Sequence, residues 1–336
     1  MDLTQRMDPE LIAAYQEIPA EEIMNWEDLP ATREMFAGLA AQMKAGIPDP
    51  ENVAKEDCEA PGSEGDPEVP VRVYRPVESS GTLPGVLWIH GGGYVLGGVE
   101  EDDLACQHVC EAVGCVVVSV EYRLAPEHPF PAPLEDCYAA LKWMAGNALD
   151  LGVDPARIAI AGGSAGGGLT AGLALLARDR GEVSVAFQAP IYPMIDDRNV
   201  TPSSRQITDP RVWNRESNIK GWRAYVGEAA GGEGVSPYAA AARATDLSGL
   251  PPAYIAVGTL DLFLDEDIEY ARRLMEAGVP TELHVYPGLF HGSDVLVPTA
   301  ASSVRFIADR DAALKRALHP EPAPLLARAF WTHSTP

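Results

Sequence analysis

Between residues 70 and 190, short apolar runs alternate with longer segments whose apolar residues recur at helical spacing. Pro84–His90 and Cys115–Val120 are nearly continuous in apolar residues, as expected of strands buried on both faces. Val69–Tyr74 alternates, Val71 and Val73 against Arg72 and Tyr74, and predicts an edge strand. Asp102–Val113 and Leu134–Met144 predict helices between strands. Ile158–Gly163 predicts a third buried strand, Leu169–Arg178 a helix and Val183–Pro190 a fourth strand. Strands alternating with helices in this way build a mostly parallel sheet covered by helices, an α/β fold.

The alternation breaks twice. Residues 1–45 show only helical spacing, with Leu11, Ile12, Tyr15 and Ile18 in one segment and Met35, Leu39 and Met43 in another. Residues 50–68 are acidic, with glycine and proline, and read as a linker or an irregular first strand. From 196 to 235 the chain turns polar, with Trp213, Trp222 and Tyr225 scattered through helix-like segments, and this predicts an insertion over the sheet. Those three aromatics either face a substrate or pack the insertion onto the core. Alternation resumes with Ala253–Val257, Asp265–Ala277, Thr281–Tyr286 and a closing helix at Ser302–Leu318. The stretch from 319 onward holds four prolines and little periodicity. The expected organisation is therefore a helical segment over 1–50 and the first part of an α/β domain over 51–195. Residues 196–235 form the insertion, 236–320 complete the α/β domain, and 321–336 form a tail.

Charge narrows the function. The 336 residues include 49 acidic and 25 basic ones, a formal net charge of -24. Nucleic acid phosphates and anionic membranes both require basic surface, so neither partner is expected. No stretch approaches the roughly 18 apolar residues of a membrane span, and the first residues show no basic-then-apolar leader. The five cysteines form an odd set without a C-x-x-C pair, which predicts free thiols in a cytoplasmic setting and no metal site.

The chemistry lies at strand ends. Gly162-Gly163-Ser164-Ala165-Gly166 fits G-x-S-x-G, in which a serine occupies a tight strand-to-helix turn. A neutral serine hydroxyl needs a general base, an acid to orient that base, and donors for the oxyanion. His90-Gly91-Gly92-Gly93 follows the Pro84–His90 strand and offers backbone donors at the carboxyl edge of the sheet. Of seven histidines, His291 stands in a loop just past the last strand, where the order serine, acid, histidine requires the base. Asp261 is the first carboxylate after the Ala253–Val257 strand. Asp265, Glu266 and Asp267 read as the first turn of the next helix, where acids suit the helix dipole. Gly166–Ala171 also spells G-x-G-x-x-A, but it begins inside the helix and is not read as a dinucleotide site.

Together His90–Gly93, Glu121–Ala132, Gly162–Gly166, Asp261–Glu266 and Phe290–Gly292 resemble the hormone-sensitive lipase-like family of microbial esterases. The resemblance covers roughly residues 70–300 and implies an α/β-hydrolase fold, with 51–195 and 236–320 as the catalytic domain and a helical cap built from 1–50 and the 196–235 insertion. It implies Ser164 as nucleophile, His291 as base, Asp261 as its orienter, and the N–H groups of Gly92, Gly93 and Ala165 as the oxyanion hole, with His90 and Gly91 in the supporting loop. It also implies hydrolysis of short to medium acyl esters of small molecules without a cofactor, and a homodimer formed through the sheet edge near Thr281–Tyr286. One position departs from the family: the residue before the serine, usually Asp or Thr, is Gly163. The same triad would serve an amidase, formamidase or lactonase, and a ligand-binding protein on a hydrolase scaffold is a third reading.

Overall fold

In a computed structural model, which describes residues 2–20, 24–63, 65–79 and 81–320, the apolar runs line up side by side in one eight-stranded sheet. Its strands are β1 (Val53–Ala60), β2 (Val69–Pro76), β3 (Leu83–Ile89), β4 (Val116–Val120), β5 (Val153–Gly163), β6 (Phe187–Ile191), β7 (Ala253–Leu260) and β8 (Thr281–Phe290). They run in the order β1-β2-β4-β3-β5-β6-β7-β8. Every residue of β4 and β6 is buried, as is nearly all of β3 and β7, which explains their unbroken apolar character. β1 pairs antiparallel with β2, and β2 antiparallel with β4; the remaining neighbours are parallel.

The helices are α1 (Pro9–Glu17), α2 (Leu29–Lys44), α3 (Asp103–Val109), α4 (Ala132–Gly146), α5 (Ala148–Leu151), α6 (Ala165–Arg180), α7 (Pro202–Gln206), α8 (Arg215–Val226), α9 (Leu264–Glu276), α10 (Ser293–Leu296) and α11 (Ala301–Leu318). α4 and α6 pack together against the sheet. α11 packs on the Cys110–Gly114 turn that follows α3 and is joined to α3 where His108 Nε2 lies 2.7 Å from Asp311 Oδ2.

Three expectations need correcting. Val69–Tyr74 is not an edge: β2 lies between β1 and β4. The true edge is β1, which falls in the acidic 50–68 stretch and is mostly exposed, so its sequence carries no apolar signature. β6 starts at Phe187 rather than Val183, because Val183 and Val185 are only half-buried. α6 starts directly after Ser164, so the glycine run lies in its first turns. Those glycines allow close packing: a Cβ on Gly167 would stand 2.9 Å from the Ile191 carbonyl oxygen, and one on Gly168 would overlap the Met194 carbonyl. The residues from 321 to 336, expected as a tail, lie outside the described residues.

The N-terminal helices attach to the sheet at defined points. Asp8 N–H donates to the Gly288 carbonyl (3.1 Å), and Tyr15 packs on Phe290 with ring centroids 5.7 Å apart. The Tyr15 hydroxyl also donates to Asp209 in the 196–235 segment (2.6 Å). Arg33 reaches the Val95 carbonyl (2.8 Å) and pairs with Glu127 (2.7 Å). The two segments expected to form a cap thus meet each other through Tyr15 and Asp209, and the first of them also contacts the carboxyl end of β8.

Candidate active site

Strand register brings the candidate residues together. Ile89 of β3 pairs with Gly162 of β5, so the His90–Gly93 loop leaves the sheet beside the serine turn. Gly163 pairs with Ile191, which puts Tyr192 on the other side of that turn. Leu260 pairs with Phe290, which puts Asp261 next to His291. All of these loops leave the carboxyl ends of parallel strands, next to the point where the chain crosses over β3 from β4 to β5.

Ser164 has φ 59° and ψ -122°, a conformation strained for a non-glycine residue and costing on the order of 1–3 kcal/mol. The turn closes tightly. A Cβ on Gly162 or Gly166 would overlap the Ile89 carbonyl, so only glycine fits at either place. The strain is held by the Ser164 N–H to the Ile191 carbonyl (3.0 Å) and by Met194 N–H to the Ser164 carbonyl (3.0 Å).

Ser164 Oγ lies 2.8 Å from His291 Nε2, and His291 Nδ1 lies 2.8 Å from Asp261 Oδ2. A carboxylate only accepts, so Nδ1 carries the proton and Nε2 offers its lone pair to the serine hydroxyl. Asp261 is 1% exposed, and its other oxygen accepts from Phe263 N–H (2.9 Å), which fixes the carboxylate. Two rings meet the imidazole edge-on, Tyr192 at 4.9 Å and Phe263 at 5.1 Å between centroids. The Tyr192 hydroxyl donates to Asp294 Oδ2 (3.3 Å).

The glycine loop lies against the serine: a Cβ on Gly91 would stand 3.4 Å from Ser164 Cβ. Gly92 and Gly93 have φ of 111° and 61°, turns that side chains resist. Ala165 opens α6, where unpaired N–H groups and the helix dipole favour negative charge. His90 is buried. Its Nδ1 donates to the Gly91 carbonyl (2.8 Å), its ring stacks on Tyr122 at 4.0 Å, and the Tyr122 hydroxyl donates to the His90 carbonyl (2.9 Å). Burial pulls the His90 imidazole down to about 4, so it stays neutral as a structural support for the loop. This is the part played by the Glu121–Ala132 stretch: Tyr122 braces the glycine loop, and Arg123 forks onto Asp136 (2.7 Å) to hold the stretch on α4.

A family model described as "alpha/beta hydrolase fold" matches residues 86–294. The carboxylesterase NlhH of Mycobacterium tuberculosis (strain CDC 1551 / Oshkosh) is 41% identical over 265 residues, 77% of this chain and 81% of that one. The chain belongs to the hormone-sensitive lipase-like esterases. An arylesterase of Saccharolobus solfataricus is 35% identical over 64% of this chain and 70% of its own. Among solved structures, a bacterial heroin esterase superposes with a TM-score of 0.89 at 46% identity, covering 94% of this chain and 98% of that one. Against this family background the site holds two rings that the sequence did not single out. Tyr192 and Phe263 are visible only through register. Glu266 and Asp267 do begin α9, as expected, but both are buried rather than solvated. Glu266 Oε1 accepts from Ile195 and Asp196 N–H (3.1 Å each), while Asp267 has no hydrogen-bond partner among the described residues. Burial pushes both carboxyls well above the usual range, with neighbouring carboxylates adding to the shift.

Proposed function

We propose that this carboxylic-ester hydrolase works through a covalent acyl-enzyme on Ser164. The reading rests on one observation above all: the unbroken Asp261–His291–Ser164 chain, with 2.8 Å at each contact to the imidazole. His291 takes the serine proton as Oγ attacks the ester carbonyl, and Asp261 stabilises the imidazolium that forms. The N–H groups of Gly92, Gly93 and Ala165 receive the oxyanion. His291 then returns the proton to the departing alkoxide and activates the water that releases the acid. No step calls for a metal or cofactor. The same geometry would attack an amide or lactone, but the named relatives are esterases and carboxylesterases, which favours esters. Among the described residues no helix is long and apolar enough to cross a membrane. The free cysteines fit a reducing compartment, the cytoplasm. The half-exposed outer side of β8 supports the homodimer that the family implies, and a monomeric mass in light scattering at micromolar concentration would remove it.

The experiment is covalent labelling. A fluorophosphonate should label the wild-type protein at Ser164 with loss of activity. Ser164→Ala should take up no label and lose on the order of 10⁴-fold or more in kcat on p-nitrophenyl acetate. Near-normal hydrolysis by Ser164→Ala would overturn the assignment.

A further inference from the structure

We propose that Trp213, positioned by Asn218, sets the acyl-chain length that the site accepts; this rests on the ester-hydrolase reading above. Of the three aromatics in the insertion, two are structural. Trp222 and Tyr225 are 1% and 0% exposed and pack with Tyr94, which stacks on Tyr225 at 3.9 Å. Trp213 is only half-buried, and its ring lies on the glycine loop itself. A Cβ on Gly93 would overlap the indole Cη2, and one on Gly221 would stand 3.2 Å from its Cζ2. The six-membered edge of the indole is therefore wedged between Gly93, whose N–H is a proposed oxyanion donor, and α8.

The direction of the ring decides which part of an ester it meets. Four groups surround the reacting carbon. Ser164 Oγ forms the new bond, the oxyanion turns to Gly92, Gly93 and Ala165, and the leaving alcohol oxygen must lie at His291 Nε2. Among the described residues, the rings in contact with His291 are Tyr192 and Phe263, both buried, so they hold the imidazole in place while the alcohol leaves past Nε2. Trp213 borders the oxyanion loop instead, on the side left to the acyl chain. Trp26, with its centroid 6.4 Å from that of Trp213, extends the same wall outward.

The indole is held in place by a short relay. Its Nε1–H donates to Asn218 Oδ1 (3.1 Å), and Asn218 Nδ2 donates to Asn199 Oδ1 (3.2 Å). Asn218 and Asn199 are both buried, and Asn199 adopts φ 56°, the left-handed region that asparagine tolerates better than most residues. A buried amide pair that orients an indole at the mouth of the site is a positioning device, because each amide left unpaired would cost stability.

The test is an acyl series, p-nitrophenyl acetate, butyrate and octanoate, run with wild type, Trp213→Ala, Trp213→Phe and Asn218→Leu. One methylene in an apolar pocket is worth roughly 10–200-fold. Trp213→Ala should therefore raise the octanoate-to-acetate ratio of kcat/KM by at least about tenfold, chiefly through KM. Trp213→Phe keeps most of the bulk and should move the ratio less. Asn218→Leu keeps the indole but frees it, and should shift the ratio in the same direction by a few-fold. Fluorophosphonate labelling of each variant reports folded, competent Ser164, so a collapsed protein is recognised, and Trp213→Phe then carries the test. An unchanged ratio with all esters falling together would overturn the proposal. So would a change confined to an acetate series in which only the alcohol varies. Both outcomes leave the Ser164 assignment intact, whereas absence of label on wild type would overturn that reading instead.

Discussion

The sheet side and the insertion side of the site are built by different means. Ser164, Asp261 and His291 each stand one residue past a strand, and the strands are locked by pairings such as Leu260 with Phe290. Their relative positions follow from backbone hydrogen bonds, which tolerate changes of neighbouring side chains. Trp213 instead precedes α8 on a polar segment and is placed by two buried amides and two glycines. The first arrangement suits chemistry that must not vary. The second suits a wall that can be remodelled while the machinery stays fixed. Changes on the sheet side should alter turnover for every ester alike, and changes on the insertion side should alter the ratio between esters.

Asp261→Asn gives the sharpest contrast. An amide at this position would favour the wrong imidazole tautomer, so kcat should fall about 10⁴-fold on short and long esters equally. Initial rates across the acyl series read this, and a loss restricted to one chain length would break the division between the two sides. Gly163→Thr comes next. A Cβ here would stand 3.2 Å from the Tyr192 ring and 3.5 Å from its hydroxyl. That ring cannot retreat easily, because it stacks on Phe306 (5.7 Å) and meets His291 edge-on. We expect about a tenfold loss of kcat on all esters, together with roughly 1–3 kcal/mol of stability from overpacking. An unchanged kcat would mean that Tyr192 does not constrain His291. Gly163 thus matches a tyrosine that fills the space a larger residue would need.

The smallest effect should come from Asp267→Asn. Burial raises this carboxyl above its unfolded value, so the folded state holds the proton more tightly. The stability linked to that proton is full below the ordinary carboxylate range and declines as pH rises above it. The variant should therefore gain Tm relative to wild type between pH 4 and pH 8, with kcat unchanged. A difference in Tm that stays flat with pH would show that Asp267 does not titrate in this way.

The two sides also differ in how far they could be read from the chain. Apolar runs ending in Gly-Ser-Ala, Gly-Thr-Leu-Asp and Leu-Phe-His declare strands and the loops after them, so the order of elements, the elbow and the candidate triad were legible. β1 was not, because an exposed edge strand needs no apolar face. Glu266 and Asp267 were misleading for the opposite reason. An acidic first turn looks solvated in sequence, and only the packing of α9 shows that it is buried. Trp213 could not be told from Trp222, since all-round aromatic character says nothing about which ring faces the substrate. Tyr192 carried no signal of its own, and its role depends on the β5–β6 register.

The bond from Asp8 to Gly288, with Tyr15 on Phe290, has a consequence for how the protein is made. α1 buries Leu11 and Tyr15, and Tyr15 packs on Phe290 at the end of β8, so two elements far apart in the chain meet here. During translation the face of α1 that carries Tyr15 is made well before β8, so it waits for that strand while most of the sheet is synthesised. On the triad proposed above, a polypeptide stalled before residue 291 carries the serine turn yet lacks its base, so hydrolysis waits until β8 and the loop after it have been made.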